Sequence, residues 1–254
     1  MEFMTAACSD VGIRKKVNED SYCIKIAETE DEKILLAVVC DGMGGLARGE
    51  LASATVIRAF SKWFEDELPN EINNFRPENI KSRWNSIIQE QNNKIGGYGR
   101  EAGVMLGTTL TAFLIIKEYI IIAHVGDSRL YEINETLRVV TEDQTVVQRD
   151  LRNGRITKEQ ALVDPRRNVL LQCVGASKSL QPEFIIEKVK NNCTYMLCSD
   201  GFRHIISENE LFLNLKPDVL NDEDIMKYNA EALVELNKQR KETDNITVVI
   251  VKTY

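Results

Sequence analysis

The sequence predicts an α+β fold, in which antiparallel strands and amphipathic helices build one domain. Apolar runs at residues 35–40, 119–125 and 246–251 have the length and β-branched content of strands buried on both faces. Segments 49–68 and 223–240 carry apolar residues at helical spacing. The strand that ends at Ile116 turns at Lys117-Glu118 into the run 119–125, which is a hairpin pattern. Consecutive strands are therefore expected to pair antiparallel.

The remaining elements follow from the same periodicities. Further strands are predicted at 22–26, 33–40, 106–116, 130–133, 184–188 and 193–198, and further helices at 78–94 and 207–214. Gly96-Gly97-Tyr98-Gly99 is predicted as a flexible loop. The polar segment at about 141–176 holds two short helices and is expected to pack beside the core as a flap. No linker or repeat interrupts the chain, which predicts a single domain over 1–254.

Composition narrows the class of protein. The 254 residues are 43% hydrophobic and 28% charged, as in ordinary globular proteins, and the net charge is −7. An acidic chain without a basic stripe is a poor candidate for binding nucleic acid. Six scattered cysteines without a C-x-x-C pair indicate reduced thiols and a cytoplasmic location, and two histidines argue against a zinc site. No signal peptide or membrane-spanning apolar stretch is present.

Aspartates recur at the ends of the predicted strands. Asp41, Asp127 and Asp200 follow their strands, and Asp244 precedes the last one. Antiparallel pairing brings such positions to one end of a sheet, where the carboxylates would repel one another unless a cation neutralised them. Oxygen ligands of this kind suit Mg²⁺ or Mn²⁺. Each aspartate alone could simply cap a turn, but four repeats of the pattern favour a shared metal site.

Glycines and basic residues accompany these acids. Gly42, Gly44 and Gly45 follow Asp41 and allow the backbone to approach a bound group closely. Arg14 and Lys15 precede the acids of Asn18-Glu19-Asp20. An isolated basic segment is usually a solvated edge, yet a phosphate substrate would need a cationic grip of this kind.

Six short motifs together resemble one protein family. They are N-E-D-S at 18–21, D-G-M-G-G at 41–45, G-T-T at 107–109, G-D-S-R at 126–129, S-D-G at 199–201 and D-N-I-T at 244–247. In this order the chain resembles the bacterial metal-dependent serine/threonine phosphatases of type 2C, the PPM family. The resemblance runs nearly end to end, which makes it far more specific than a lone D-G-x-G-G.

The resemblance implies a four-layer α-β-β-α sandwich of two packed antiparallel sheets flanked by helices. It also implies a centre of two Mn²⁺ or Mg²⁺ ions; bacterial members often hold a third, weaker ion, which here would fall to Asp127 with Asp200. The implied catalytic residues are Asp41, Asp200 and Asp244. The implied metal ligands are Glu19, Asp20, Asp41, the Gly42 carbonyl, Asp127, Asp200 and Asp244. Metal-activated water would then hydrolyse phosphoserine and phosphothreonine monoesters.

Departures from the family pattern leave two roles open. The phosphate-binding arginine of the family falls on Lys15, so either Lys15 or the neighbouring Arg14 grips the phosphate. Some members carry histidine where this chain has Met43. His124 lies within a strand, which favours a core or metal-adjacent position over the role of proton donor. In the flap, Asp164 stands where relatives often have histidine.

The family also implies phosphorylated protein substrates, a functional link to a serine/threonine kinase and a role in signalling. We expect a cytoplasmic monomer that binds neither nucleic acid nor membrane. Two alternatives remain open at this stage. One is a non-catalytic regulator that keeps the fold, and the other is a different metallohydrolase such as a nuclease or phosphodiesterase.

Overall fold

A computed structural model describes residues 1–44 and 48–254 of the chain. Gly45 of the D-G-M-G-G motif and the adjacent Leu46 therefore lie outside the described residues. Elements below are numbered in chain order. The strands are β1 (Phe3–Asp10), β2 (Asp20–Glu28), β3 (Lys33–Gly44), β4 (Leu106–Thr108), β5 (Leu110–Ile116), β6 (Tyr119–Val125), β7 (Arg129–Ile133), β8 (Leu137–Val139), β9 (Glu183–Lys188), β10 (Cys193–Cys198) and β11 (Ile246–Thr253).

The helices separate into a group between β3 and β4, a group in the predicted flap and a group near the end of the chain. They are α1 (Gly49–Asp66), α2 (Leu68–Glu71), α3 (Pro77–Ala102), α4 (Val146–Arg152), α5 (Lys158–Val163), α6 (Asp200–Arg203), α7 (Glu208–Leu215) and α8 (Glu223–Gln239). Both flap helices begin at a threonine whose side chain accepts a backbone N–H, Thr145 for α4 and Thr157 for α5.

Two antiparallel sheets carry all the strands of the described residues. One sheet has the order β1-β11-β10-β7-β8, and the other has the order β2-β3-β5-β6-β9 with β4 paired to β3. The last strand of the chain, β11, thus lies between β1 and β10. Residues of β3 alternate between two cores: Leu36 and Val38 face α1 and α3, whereas Leu35 and Ala37 face the other sheet.

A third apolar cluster fills the space between the β1-β11-β10-β7-β8 sheet and the C-terminal helices. It joins Met196 of β10 and Val248 of β11 to Leu211 of α7 and Leu233 of α8. The order of layers is therefore helices, sheet, sheet, helices. This arrangement confirms the predicted α-β-β-α sandwich.

The structure corrects two local predictions. Residues 96–99 are not a flexible loop, because α3 continues through them to Ala102. A Cβ on Gly96 would lie 2.8 Å from the carbonyl oxygen of Gly175, and one on Gly99 would lie 2.8 Å from that of Val104. These glycines thus allow close backbone packing rather than a chain break.

The second correction concerns Asp41. The prediction ended the strand at Cys40, but β3 runs on to Gly44 because its final residues pair with β4, Gly42 opposite Thr108. Asp41 therefore lies within a strand and not in the turn after it. Along the described parts of the chain, no helix has the length and apolar character needed to cross a bilayer.

Candidate metal centre

The centre begins with two aspartates that face each other across neighbouring strands. Asp20, the first residue of β2, is the register partner of Asp41 in β3. Asn18 accepts the backbone N–H of Asp20 at 3.1 Å and donates to Ser9 at 2.9 Å, which orients the start of β2. Two carboxylates are thus held side by side at one edge of the sheet.

The G-T-T motif holds the backbone of Asp41 from the other side. The Asp41 N–H donates to Thr109 Oγ1 at 2.9 Å, and the Asp41 carbonyl oxygen accepts from Thr108 Oγ1 at 2.9 Å. Gly42 follows where any side chain would collide, because its Cβ would lie 2.3 Å from the Gly49 carbonyl oxygen. The motif residues therefore position Asp41, and their hydroxyls act on its backbone rather than on its carboxylate.

Asp200 and Asp244 flank two strands of the β1-β11-β10-β7-β8 sheet. Asp200 is the first residue of α6, directly after β10, and Asp244 lies just before β11. A Cβ on Gly201 would lie 2.2 Å from the Asn245 carbonyl oxygen and 3.3 Å from Asp244 Cβ, so only glycine lets these two segments meet. Ser199 links the sheets, since its hydroxyl donates to Asp20 Oδ2 at 2.9 Å.

The predicted gathering of carboxylates is thus present, but its origin differs from the prediction. The acids were expected at one end of a single sheet. Instead, Asp20 and Asp41 belong to one sheet, and Asp200 and Asp244 flank strands of the other. Facing sheets bring their strand ends together as effectively as neighbouring strands do, because the two layers pack face to face.

Mutual repulsion is evident at the two central acids. Burial raises the pKa of Asp41 well above its ordinary value, and the charges of Asp20, Asp200, Asp127 and Asp244 raise it further. Burial likewise raises the pKa of Asp20 to about 7, although hydrogen bonds from Thr247 and Ser199 oppose this shift. Without a bound cation, the protein therefore holds part of this cluster protonated near neutral pH.

His204 balances the charge of Asp200. Its Nε2 lies 3.3 Å from Asp200 Oδ2, and its Nδ1 lies 3.4 Å from Glu242 Oε2. Burial alone would lower the pKa of His204, but these two carboxylates raise it to about 9. Burial would raise the pKa of Asp200, whereas the hydrogen bond from His204 lowers it to about 2. Asp200 is therefore ionised and His204 protonated at neutral pH.

Asp127 lies beside the cluster and meets a second built-in cation. Burial and the charge of Asp200 raise the pKa of Asp127 to about 7, while Arg203 opposes the shift. Arg203 Nη2 donates to the main-chain oxygen of Asp127 and to Asp143 Oδ2, both at 3.0 Å. Neither Arg203 nor His204 was predicted as a site residue; they lie two and three residues after the S-D-G motif, and this closeness in sequence was the one signal available.

The N-terminal loop brings Lys15 to the acids. Lys15 Nζ lies 2.8 Å from Asp244 Oδ1 and 3.8 Å from Glu19 Oε2. Glu19 also accepts the Gly49 N–H through Oε1 at 3.0 Å. Arg14 is exposed, and the residues described by the structure give it no ion pair. Of the two predicted phosphate-binding residues, only Lys15 is therefore in contact with the acidic cluster.

Unpartnered oxygens point to what the cluster lacks. Asp20 Oδ1 and Asp200 Oδ1 are buried, and neither has a hydrogen-bond partner among residues 1–44 and 48–254. Within those same ranges, no three or more histidine, cysteine, aspartate or glutamate side chains are arranged so that they could hold a metal ion. Two of the acids are paired with cationic side chains instead, Asp244 with Lys15 and Asp200 with His204. Both orphaned atoms are hard carboxylate oxygens of the kind that Mn²⁺ and Mg²⁺ prefer.

The predicted core position of His124 is confirmed. The ring is fully buried, with Nδ1 3.0 Å from Thr111 Oγ1 and Nε2 3.1 Å from the Glu142 carbonyl oxygen. Burial lowers the pKa of His124 to about 4, so the ring is neutral at physiological pH. It fastens β6 to the segment before α4 and takes no part in the carboxylate cluster.

Comparisons with known proteins agree with this geometry. The family model described as "Protein phosphatase 2C" matches residues 13–242. A serine/threonine phosphatase stp from Listeria welshimeri is 32% identical over 247 residues, covering 96% of this chain and 93% of that protein. The solved structure of serine/threonine phosphatase Stp1 from Staphylococcus aureus has a TM-score of 0.85 at 27% identity, covering 100% of this chain and 96% of that one.

A further solved structure bears on the metal. It is the catalytic domain of serine/threonine protein phosphatase PstP in complex with two manganese ions, with a TM-score of 0.77 at 28% identity over 98% of this chain and 97% of that one. The sandwich of two sheets, the carboxylates gathered from both and the match over most of the length lead to one conclusion. This chain belongs to the protein phosphatase 2C family.

Proposed function

We propose that this protein is a phosphatase that hydrolyses phosphoserine and phosphothreonine monoesters in proteins, using Mn²⁺ or Mg²⁺. The proposal rests on one observation: the carboxylates of Asp20, Asp41, Asp200 and Asp244 gather at the ends of strands from both sheets and repel one another. Family membership and the serine/threonine phosphatases among its relatives support this assignment.

The donor set fits divalent metal ions. We propose that these residues would hold two ions: Asp200 and Asp244 one of them, Asp20, Glu19 and the Gly42 carbonyl oxygen the other, and Asp41 both. The orphaned Oδ1 atoms of Asp20 and Asp200 support this, because a buried carboxylate oxygen without a partner is costly unless a ligand satisfies it. Bound ions of this type supply activated water and offset the charge of the phosphoryl oxygens.

The chain itself contributes orientation and proton control. Thr108 and Thr109 fix the backbone of Asp41, and Ser199 fixes Asp20, so the carboxylates are held in place before substrate arrives. No serine or cysteine is needed as a nucleophile, because the attacking water comes from solvent. Protonated His204 keeps Asp200 ionised and therefore able to act as a ligand.

Release of phosphate from a phosphothreonine peptide tests the proposal. We expect turnover that requires added Mn²⁺ or Mg²⁺, stops with EDTA and is restored by excess metal. A phosphodiester of the same leaving group serves as the comparison, and we expect at least about tenfold slower turnover of it, since the site is charged to neutralise a dianionic monoester. Faster turnover of the diester would instead favour the phosphodiesterase alternative.

A non-catalytic regulator is the other alternative. It would bind the phosphopeptide, or a partner, without releasing phosphate at any metal concentration. The complete set of proposed ligands argues against it, because a regulator has no need to preserve a repulsive group of buried acids.

We further propose that Lys15, rather than Arg14, grips the substrate phosphate. The ammonium group of Lys15 lies at the acidic cluster, 2.8 Å from Asp244 Oδ1, and would be free to bind a phosphate oxygen if Asp244 served as a metal ligand. Lys15→Met is expected to raise KM for the phosphopeptide about tenfold, as for loss of one charge-assisted hydrogen bond. Arg14→Met is the matched control, and an equal or larger rise of KM in that variant would assign phosphate binding to Arg14.

Several wider properties belong to the same proposal. The whole chain forms one catalytic domain, with residues of about 141–176 as the flap beside the site. We propose that the protein acts in the cytoplasm as a monomer, in signalling, and opposes a serine/threonine kinase that phosphorylates its substrates. The reduced state of its cysteines supports the compartment, since the described residues contain only free cysteines.

A further inference from the structure

The setting of Arg203 is unusual for a surface cation. It is the last residue of α6, three positions after Asp200, and only 12% of its side chain is exposed. Its Nη2 donates to the main-chain oxygen of Asp127 and to Asp143 Oδ2, each at 3.0 Å. Its Nε is buried without a partner among the described residues. The guanidinium is therefore packed against the Asp127 side of the acidic cluster.

Local charges leave Arg203 only partly neutralised. Asp143 already accepts a bidentate contact from Arg129, with Nε to Oδ1 at 2.7 Å and Nη2 to Oδ2 at 2.8 Å. Two guanidinium groups thus share one carboxylate, which leaves a net positive charge in a buried place. Asp127, with 6% of its surface exposed, is the other carboxylate whose charge acts on Arg203.

We propose that the guanidinium of Arg203 takes the place of a third metal ion at Asp127, so that this protein binds two divalent ions and not three. The resemblance to type 2C phosphatases implied a weaker third ion between Asp127 and Asp200. In this chain both acids have cationic neighbours instead: Arg203 Nη2 lies 3.0 Å from the main-chain oxygen of Asp127, and His204 Nε2 lies 3.3 Å from Asp200 Oδ2.

Electrostatics gives the reason. A guanidinium group is protonated at every pH at which the protein is folded, so its charge beside Asp127 is permanent. A divalent ion at the same carboxylate would be repelled by that fixed charge in a partly buried setting, where Coulomb interactions are screened less than in water. The fixed charge of Arg203 therefore opposes the binding of a divalent ion at Asp127.

The inference depends on the proposed metal centre, and counting bound ions tests it without measuring activity. Free Mn²⁺ gives a six-line electron paramagnetic resonance signal that bound Mn²⁺ does not, so a titration yields the number of bound ions. We expect two for the wild type and two for Arg203→Lys, which retains the charge. For Arg203→Gln we expect three bound Mn²⁺ ions. For the double variant Arg203→Gln with Asp127→Asn we expect two bound ions again.

The number of bound ions distinguishes failure of the inference from failure of the proposed metal centre. Three ions in the wild type, with one lost in Asp127→Asn, would overturn the inference and leave the proposed function standing. A count that stays at two in folded Arg203→Gln would also overturn it. No bound Mn²⁺ in the wild type would overturn the metal centre itself, and the inference with it.

Arg203 is buried, so Arg203→Gln is first checked for folding by circular dichroism and thermal melting. If that variant does not fold, the comparison of wild type with Asp127→Asn is sufficient. An unchanged count of two in both supports the inference, because it means that Asp127 holds no ion while Arg203 is present. A count lower by one in Asp127→Asn contradicts it.

Discussion

Asp41→Asn is expected to lower kcat/KM for a phosphothreonine peptide by about 10³-fold or more, equivalent to roughly 4 kcal/mol of transition-state stabilisation. The proposed centre depends on this carboxylate more than on any other, because four other acids act electrostatically on Asp41 and a bridging ligand serves both ions. Asparagine keeps the size of the side chain and removes its charge. Initial rates at saturating Mn²⁺ measure the effect, since excess metal separates lost chemistry from weakened binding.

Two controls accompany this variant. Glu65→Gln also removes one carboxylate, but from an exposed ion pair with Lys25 far from the cluster, and its activity is expected to equal that of the wild type. Thermal melting in EDTA should show that Asp41→Asn is folded and at least as stable as the wild type, because the substitution removes a carboxyl group whose ionisation is opposed by burial and by four neighbouring acids. Activity within about twofold of the wild type in Asp41→Asn would refute the proposed function.

The metal-free protein is expected to lose stability as the pH rises from 5 to 8. In the folded state the pKa of Asp20 is raised to about 7, so its ionisation is suppressed by the fold. A group with a raised pKa favours the folded state fully below its unfolded pKa, and the contribution is lost as the pH rises through the folded value. For Asp20 this predicts a decrease of roughly 2 to 3 kcal/mol in the free energy of unfolding across that window.

Two histidines and Asp200 also bear on this dependence. His124 opposes it, because burial lowers its pKa to about 4, so the folded state gains stability as the pH rises from 5 through the ordinary histidine value of about 6.5. Protonated His204, with a pKa of about 9, contributes stability below its ordinary value near neutrality and loses it as the pH rises toward 9. Asp200, with a pKa of about 2, stays ionised throughout the window and leaves the slope unchanged. Bound Mn²⁺ should cancel the trend, because the ionised carboxylates then have their counter-ions.

Urea unfolding at pH 5, 6.5 and 8, in EDTA and in Mn²⁺, measures this dependence. Asp20→Asn is the informative variant, since it should flatten the curve in EDTA and weaken the gain from Mn²⁺. A loss of stability between pH 5 and 8 that is no larger in the metal-free wild type than in Asp20→Asn would contradict the electrostatic description of the cluster, because the contribution of His124 is the same in both proteins.

Much of the fold was accessible from the sequence because its strands are strongly patterned. The runs at 35–40 and 246–251 are long, apolar and β-branched, and each became a central strand. The continuation of β3 past Asp41 was not accessible, since it depends on pairing with β4, a partner more than sixty residues away. The continuation of α3 through Gly96 and Gly99 could not be predicted for a similar reason, because only tertiary packing explains glycine at these helical positions.

For the candidate site, the sequence predicted the acids but not their counter-charges. Asp41, Asp200 and Asp244 were recognisable because each sits in a short motif at a strand end. Arg203 and His204 carry no such pattern, and their contacts with Asp127, Asp143 and Glu242 depend on where α6 packs. The assignment of Asp20 and Asp41 to one sheet, and of Asp200 and Asp244 to the other, likewise required the three-dimensional arrangement.

The position of β11 has a consequence for biosynthesis. The side-chain amide of Asn245 donates to the carbonyl oxygens of Val11 and Val17, and β11 then inserts between the first strand and β10. Strand β11 therefore completes a layer that begins with β1, more than two hundred residues earlier in the chain. A nascent chain without β11 lacks both Asp244 and the segment that holds the loop of Lys15, so hydrolysis should begin only after β11 has been synthesised.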